Sequence, residues 1–368
     1  MVGSLAFRLW YFACAWSALN LLFFYLGSKL RTDGVVKSFV PVCLYFAALL
    51  LGCLWARYPA TTLEWVTIDG IELFVFGITY LTALNVPRAR MVDGLAFLSL
   101  PAIAATLFLA EVDPEASRSG GLALAVLPSL VPFAWLRLRQ RPLLSGLALL
   151  TIVVVTITSR SRTPILATAL NLVLSAAVFR VTWRGVGVAV IAGLGISSYE
   201  PLRRLALGSW VRFTYQDIRE EGLLIHAENP DVLRERINHD GFHLMAESQP
   251  YGIGYMNYLR WSEDVYGYGS NLHNSYQTWV AEGGTLCTVA VLWMLGRHYW
   301  LTVRLGPESK ALAIAMSGLL LMAWFHQVHQ MPMLFAMLGL GCAFARPSSD
   351  SLEALKQSGD GASTAAGV

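Results

Sequence analysis

Apolar residues in this chain run in long blocks separated by short polar connections, with little strict alternation. A helix that crosses a bilayer needs roughly 20 mostly apolar residues. Backbone exposed to lipid must satisfy its own hydrogen bonds, so each block predicts a helix. Such blocks lie at 8–27, 38–56, 64–85, 92–110, 121–137, 143–158, 164–181, 185–198, 275–296, 310–327 and 331–346. The expectation is an all-α, polytopic integral membrane protein with about eleven spans, ten to twelve. Residues 1–198 form an N-terminal set of transmembrane helices and 273–346 a C-terminal set. Between them, 199–272 is polar, charged and rich in Tyr and Trp, and it predicts one large external loop between the eighth and ninth spans. The tail 347–368, rich in Ser, Gly and Ala, reads as disordered and cytoplasmic. The first apolar block shows no small-residue cleavage pattern, so no cleavable signal peptide is expected.

Composition agrees: 55% of residues are hydrophobic and 14% charged. The net charge of +3 becomes informative only once it is placed along the chain. Lys29, Arg31 and Lys37 follow the first block, Arg88 and Arg90 the third, and Arg137, Arg139 and Arg141 the fifth. Arg180 and Arg184 follow the seventh, and Arg297, Arg304 and Lys310 the ninth. The alternate connections hold Arg57, Arg118 and the pair Arg160 and Arg162. Cytoplasmic loops carry the excess of Lys and Arg, which puts 111–117 and 199–272 outside. With no basic stripe beyond the cytoplasmic loops, nucleic-acid binding is not expected. Cys14, Cys43, Cys53, Cys287 and Cys342 all fall in predicted spans, where thiols behave as small hydrophobes. No metal-ligand spacing appears, and no metal or cofactor is expected.

Two short stretches depart from this pattern. In "TITSRSRTPILATAL" (156–170), Thr163 predicts an N-cap and Pro164 a first helical position. Arg162 then stands just before a helix N-terminus, where free N–H groups already favour an anion. The guanidinium fork of Arg162, with Arg160 close by, suits phosphate. In "NLHNSYQTWVAEGG" (271–284), Asn274 predicts an N-cap with Gln277 completing a capping box, and His273 precedes the cap. Both helix starts fall on the external side.

Further candidates surround these two. Arg234 and Arg236 lie on "VLRERINHDGFHLM", whose apolar spacing is only loosely helical. Pro250, Gly252 and Gly254 predict a turn. Tyr255 and Tyr258 belong to an aromatic cluster that is either an interfacial belt or a sugar-stacking surface. His326 and His329 close the tenth block. Glu282, inside the ninth, needs a partner such as an arginine, because a carboxylate in a membrane is costly alone.

Taken in order, "SRTPILA" (161–167), "RERINHDGFHLMAESQPYGIGYMNY" (234–258) and "HNSYQTWVAEGG" (273–284) resemble the O-antigen ligase and polymerase superfamily. Its Ser-Arg motif, its external Arg-helix-Pro-x-Gly-x-Gly pattern and its His-Asn motif match these segments. Tyr276 fills the position after the His-Asn pair, whereas Gly283 and Gly284 double the expected glycine. The resemblance covers roughly residues 140–300. It implies a metal-independent glycosyltransferase of the bacterial inner membrane, with its active site on the periplasmic face. The implied donor is a glycan on undecaprenyl diphosphate. The acceptor is a hydroxyl of lipid A–core for a ligase, or a carrier-linked glycan for a polymerase, and these motifs do not separate the two. Arg162 with Arg160, Arg234, Arg236 and Asn274 would bind the diphosphate. His273 would act as a general base or hold a phosphate. Tyr255, Tyr258, Tyr276, Glu282, His326 and His329 would stack on sugar or support the site. A transporter or flippase of polysaccharide is the reading from another class, and it would be expected to carry polar residues through several mid-span positions.

Overall fold

The computed structural model describes residues 32, 34–100, 121–158, 162–179, 230–266, 271–272, 274–325 and 332–346. Among them all regular structure is helical. The elements are α1 (Val35–Gly52), α2 (Pro59–Asp69), α3 (Ile71–Asn85), α4 (Arg88–Phe97), α5 (Gly121–Arg137), α6 (Pro142–Thr158) and α7 (Arg162–Phe179). There follow α8 (Pro230–Glu247), α9 (Tyr258–Tyr266), the short turn α10 (Ser275–Gln277), a π-helical turn (Thr278–Glu282), α11 (Gly284–Val303), α12 (Pro307–Ala323) and α13 (Pro332–Phe344). Among the described residues, two helices are long and apolar enough to cross a membrane: Val35–Gly52, and the run Pro59–Asn85 that joins α2 to α3 through Gly70. Shorter apolar helices are Val126–Arg137, Pro142–Thr156, Thr163–Phe179 and Pro332–Phe344.

Nine of the eleven predicted blocks meet these helices with shifted boundaries; 8–27 and 185–198 lie outside the described residues. Two expectations gain detail. The segment predicted as an external loop carries α8 and α9, and α8 packs on the π-helical turn. The "loosely helical" stretch around Arg234 is in fact an unbroken helix. Its Ile237 and Leu244 form a small core with Tyr258, Leu272 and Ala281, and tertiary burial of this kind outweighs an irregular apolar spacing.

The main core joins α1, α3, α5, α12 and α13 around Phe76, Phe133, Leu130, Leu319 and Phe335. Helices run up and down between two ends. One end gathers arginines. Arg137 sits buried against Asp93 (2.6 Å), and its Nη2 donates to the Ala89 carbonyl (2.9 Å). Arg141 reaches the same carboxylate (3.4 Å), and Arg88 donates to the Arg346 carbonyl. Prolines explain one more contact. Pro41 in α1 cannot bond the carbonyl of Lys37 four residues back, and Arg297 Nη1 takes that carbonyl at 2.9 Å. The same logic joins α5 to α7. Pro132 frees the carbonyl of Pro128, and Asn171 Nδ2 donates to it at 2.8 Å. Asn171 rests against Gly318 of α12, where a Cβ would lie 2.4 Å from its Nδ2.

Candidate functional site

The end opposite the arginines is built from turns. The α6–α7 hairpin reaches it and returns, with Thr168 Oγ1 3.4 Å from Thr156 Oγ1. The helix α7 begins at Arg162, so Thr163 and Pro164 occupy its first turn and Arg162 is the first helical residue, no longer a residue before the helix. A proline there costs little, because the first N–H groups have no partner inside the helix. The start of α7 lies at this end of the bundle.

Asn274 caps its helix as the sequence predicts. The backbone N–H groups of Tyr276 and Gln277 donate to its Oδ1 (2.9 and 3.3 Å). The reciprocal half of a capping box is missing. Gln277 Nε2 donates instead to the carbonyl of Asn238 in α8 (2.9 Å), across Gly241. Arg234 therefore stands one helical turn before a residue that touches the Asn274 helix. Leu272 and Asn274 are both buried.

The helix that opens at Asn274 does not continue as an α-helix. It loosens to a π-helical turn and breaks at Gly283 and Gly284, where Gly284 takes φ +72°. The break frees carbonyls, and residues 248–254 take them. Ile253 N–H donates to the Ala281 carbonyl (2.9 Å), Gly254 N–H to the Glu282 carbonyl (3.0 Å) and Gln249 Nε2 to the Val280 carbonyl (2.8 Å). In return Thr285 N–H donates to the Pro250 carbonyl (2.9 Å). Chains this close leave no room for side chains. A Cβ on Gly252 (φ +76°) would sit 2.4 Å from the Glu282 carbonyl oxygen, and one on Gly284 2.5 Å from the Tyr251 backbone. The doubled glycine thus answers the Pro-x-Gly-x-Gly turn.

Glu282 fastens the same turn. Its carboxylate is buried and accepts from the backbone N–H groups of Tyr258 (2.7 Å) and Met256 (3.2 Å). The expected arginine partner is replaced by two backbone donors, which suit a carboxylate equally well. For Tyr255 and Tyr258 the supporting role is the alternative that their surroundings leave open. Both are buried, with hydroxyls donated to Asp69 and, at 3.1 Å, to Asp240, so neither ring offers a face for stacking on sugar. Tyr276 donates its hydroxyl to the Leu320 carbonyl at the end of α12 (2.8 Å) and packs against Trp324. Trp55 and Tyr251 are both exposed. The Trp55 indole donates to the Tyr251 carbonyl at 2.6 Å. Tyr58 beside them donates to Asp264; burial and that carboxylate push its phenol above the ordinary value. Cys287 and Cys342 are buried as expected, whereas Cys43 lies on an exposed face of α1. Arg160, His273, His326 and His329 lie outside the described residues.

No family model, curated protein or solved structure matches this chain. The geometry alone therefore carries the chemical reading. A broken helix whose start is capped by Asn274 is locked to a glycine turn, at the same end where α7 begins.

Sequence reasoning missed Asp69 and Glu72. Both are buried within Pro59–Asn85, with Asp69 accepting from Tyr255. Their signal was available as two carboxylates three residues apart inside an apolar run. Two buried carboxylates inside an apolar run are the kind of polar mid-span residue that a transporter would be expected to carry.

Proposed function

We propose that this chain is a multi-pass membrane glycosyltransferase. It moves a glycan from an undecaprenyl-diphosphate carrier to an acceptor hydroxyl at the turn-rich end of its bundle, as in O-antigen ligation to lipid A–core. The observation that supports this most is the interlock between the Pro250–Gly254 turn and the helix broken at Gly283 and Gly284. It joins two of the three resembling segments into one unit at the end opposite the arginine cluster. The third segment starts α7 at that same end.

In this reading the leaving diphosphate gains charge as the glycosidic bond breaks. The N-terminus of α7 and the guanidinium of Arg162, with Arg160, Arg234 and Arg236, stabilise that charge. Preorganised electrostatic stabilisation of this kind is often the largest catalytic contribution. His273 accepts the proton of the acceptor hydroxyl. Glu282, Tyr255 and Tyr258 hold the frame, and Asn274 caps the helix and helps to bind the diphosphate. The active site faces the periplasm, and the arginine-rich end faces the cytoplasm.

The test compares carrier-linked and lipid-A-linked glycans in a deletion strain. A ligase predicts that lipid-A-linked glycan is lost while carrier-linked polymer is still made. Single repeats alone would assign a polymerase, and unchanged glycans in both pools would remove the reading. Complementation with His273→Ala should fail although the protein reaches the membrane.

A further inference from the structure

α1 and α11 pack side by side, joined near one end by Arg297 and the Lys37 carbonyl. Together they present an apolar face that no described element covers. On α1 it includes Val40, Leu44 and Leu51; on α11 it includes Val289, Leu292 (65% exposed) and Trp293. These positions recur at helical spacing, so each helix contributes one stripe.

The face is bounded at both ends by aromatic groups with polar handles. At the turn-rich end, Trp55 and Tyr251 stand with ring centroids 5.4 Å apart, the indole N–H tied to a carbonyl. At the basic end, Trp300 is 60% exposed, with the Arg304 guanidinium 3.2 Å from its ring centroid. The separation follows from helix rise. From Lys37 to Trp55 the chain advances about 27 Å if the helical rise of ~1.5 Å per residue is kept. Gly284 lies against the Tyr251 backbone, and from there to Trp300 α11 advances about 24 Å at the same rise. Both lengths approach the ≈ 30 Å hydrocarbon thickness of a bilayer. Tyr and Trp concentrate at bilayer interfaces, and arginine at the cytoplasmic one.

We infer that this joint face of α1 and α11 is covered by lipid acyl chains. Trp55 and Tyr251 sit in one headgroup layer, and Trp300 with Arg304 in the other. α11 then crosses the membrane although it carries Arg297 and His298, and the glycine interlock sits at the interface, outside the middle of the hydrocarbon. The inference rests on the membrane reading above and is independent of the glycosyl transfer.

The test uses the full chain in phosphatidylcholine–phosphatidylglycerol vesicles, with its native cysteines changed to serine and one probe cysteine introduced at a time. Leu292→Cys bearing a fluorophore should be quenched by lipids nitroxide-labelled in mid-chain and should not react with a membrane-impermeant maleimide. Tyr251→Cys and Trp300→Cys should respond to headgroup quenchers and react from opposite sides. In the otherwise unsubstituted chain, Cys43 on the same face should react only with a membrane-permeant maleimide, as read by peptide mass; this arm survives any folding failure of the serine background. Reaction of Leu292→Cys with the impermeant reagent, a disulfide between two copies at that position, or labelling of 251 and 300 from one side would each overturn the inference. A chain that stays out of the vesicles removes the membrane reading itself. Loss of glycan transfer with correct labelling would touch only the proposed activity.

Discussion

The two ends of the bundle are held by different means. At the basic end, charged side chains do the joining: Arg137 and Arg141 converge on Asp93, Arg297 fills the carbonyl that Pro41 leaves open, and Arg88 meets the Arg346 carbonyl. At the opposite end, backbone joins backbone. Glycine turns and freed carbonyls interlock, and among the described residues no lysine or arginine there pairs with a carboxylate. Arginines employed as staples cannot also turn over a ligand. An end held by its own backbone needs no cation as a staple, and in the proposed reading Arg162 serves an anionic substrate there.

The contrast breaks most readily at the basic end. Arg137→Ala leaves the partly exposed Asp93 with Arg141 alone and should cost about 1–3 kcal/mol. Thermal unfolding in detergent would show it, and activity per folded molecule should stay near normal. Arg162→Ala should do the reverse, with unfolding unchanged and glycan transfer falling by about 10²–10³-fold. Arg162→Lys should recover little, because a point charge lacks the fork. Equal loss of stability in both variants would erase the distinction between staple and ligand.

Effects of comparable or smaller size sharpen the picture at the turn-rich end. Gly284→Ala should cost about 2 kcal/mol or more, since a left-handed conformation alone disfavours a side chain by ~1–2 kcal/mol and the Tyr251 backbone blocks the space. Gly296→Ala, in the same helix with nothing within 4 Å, is the control and should be neutral or stabilising. Glu282→Gln replaces one acceptor by a donor facing a backbone N–H, at about 1–3 kcal/mol. Tyr276→Phe frees the Leu320 carbonyl at about 1 kcal/mol. A melting temperature for Gly284→Ala equal to that of Gly296→Ala would mean that the interlock does not form.

Long apolar blocks are legible in sequence because helix formation in an unbroken apolar run is set by the residues of that run. The blocks at 121–137 and 143–158 were therefore met almost residue for residue. Short-range chemistry was legible too: Asn274 caps its helix through atoms within three residues of it. Partnerships across the fold were not. Glu282 finds its donors at Met256 and Tyr258, far along the chain. Tyr255 and Tyr258 looked like stacking platforms because an aromatic in a polar stretch carries no mark of its burial. The helix α8 exists because Ile237 and Leu244 meet Tyr258, Leu272 and Ala281, a cluster that no window of sequence contains.

By itself, the sequence determined that the chain is helical, that its cations gather in alternate connections, and where two of its helices begin, because propensity, charge and capping act over a few residues. Tertiary structure alone decided that a doubled glycine serves a turn some thirty residues away, that a buried carboxylate caps backbone, and that prolines in α1 and α5 hand their open carbonyls to Arg297 and Asn171. Those contacts depend on which backbones come within hydrogen-bonding distance, and that is settled only when the helices pack.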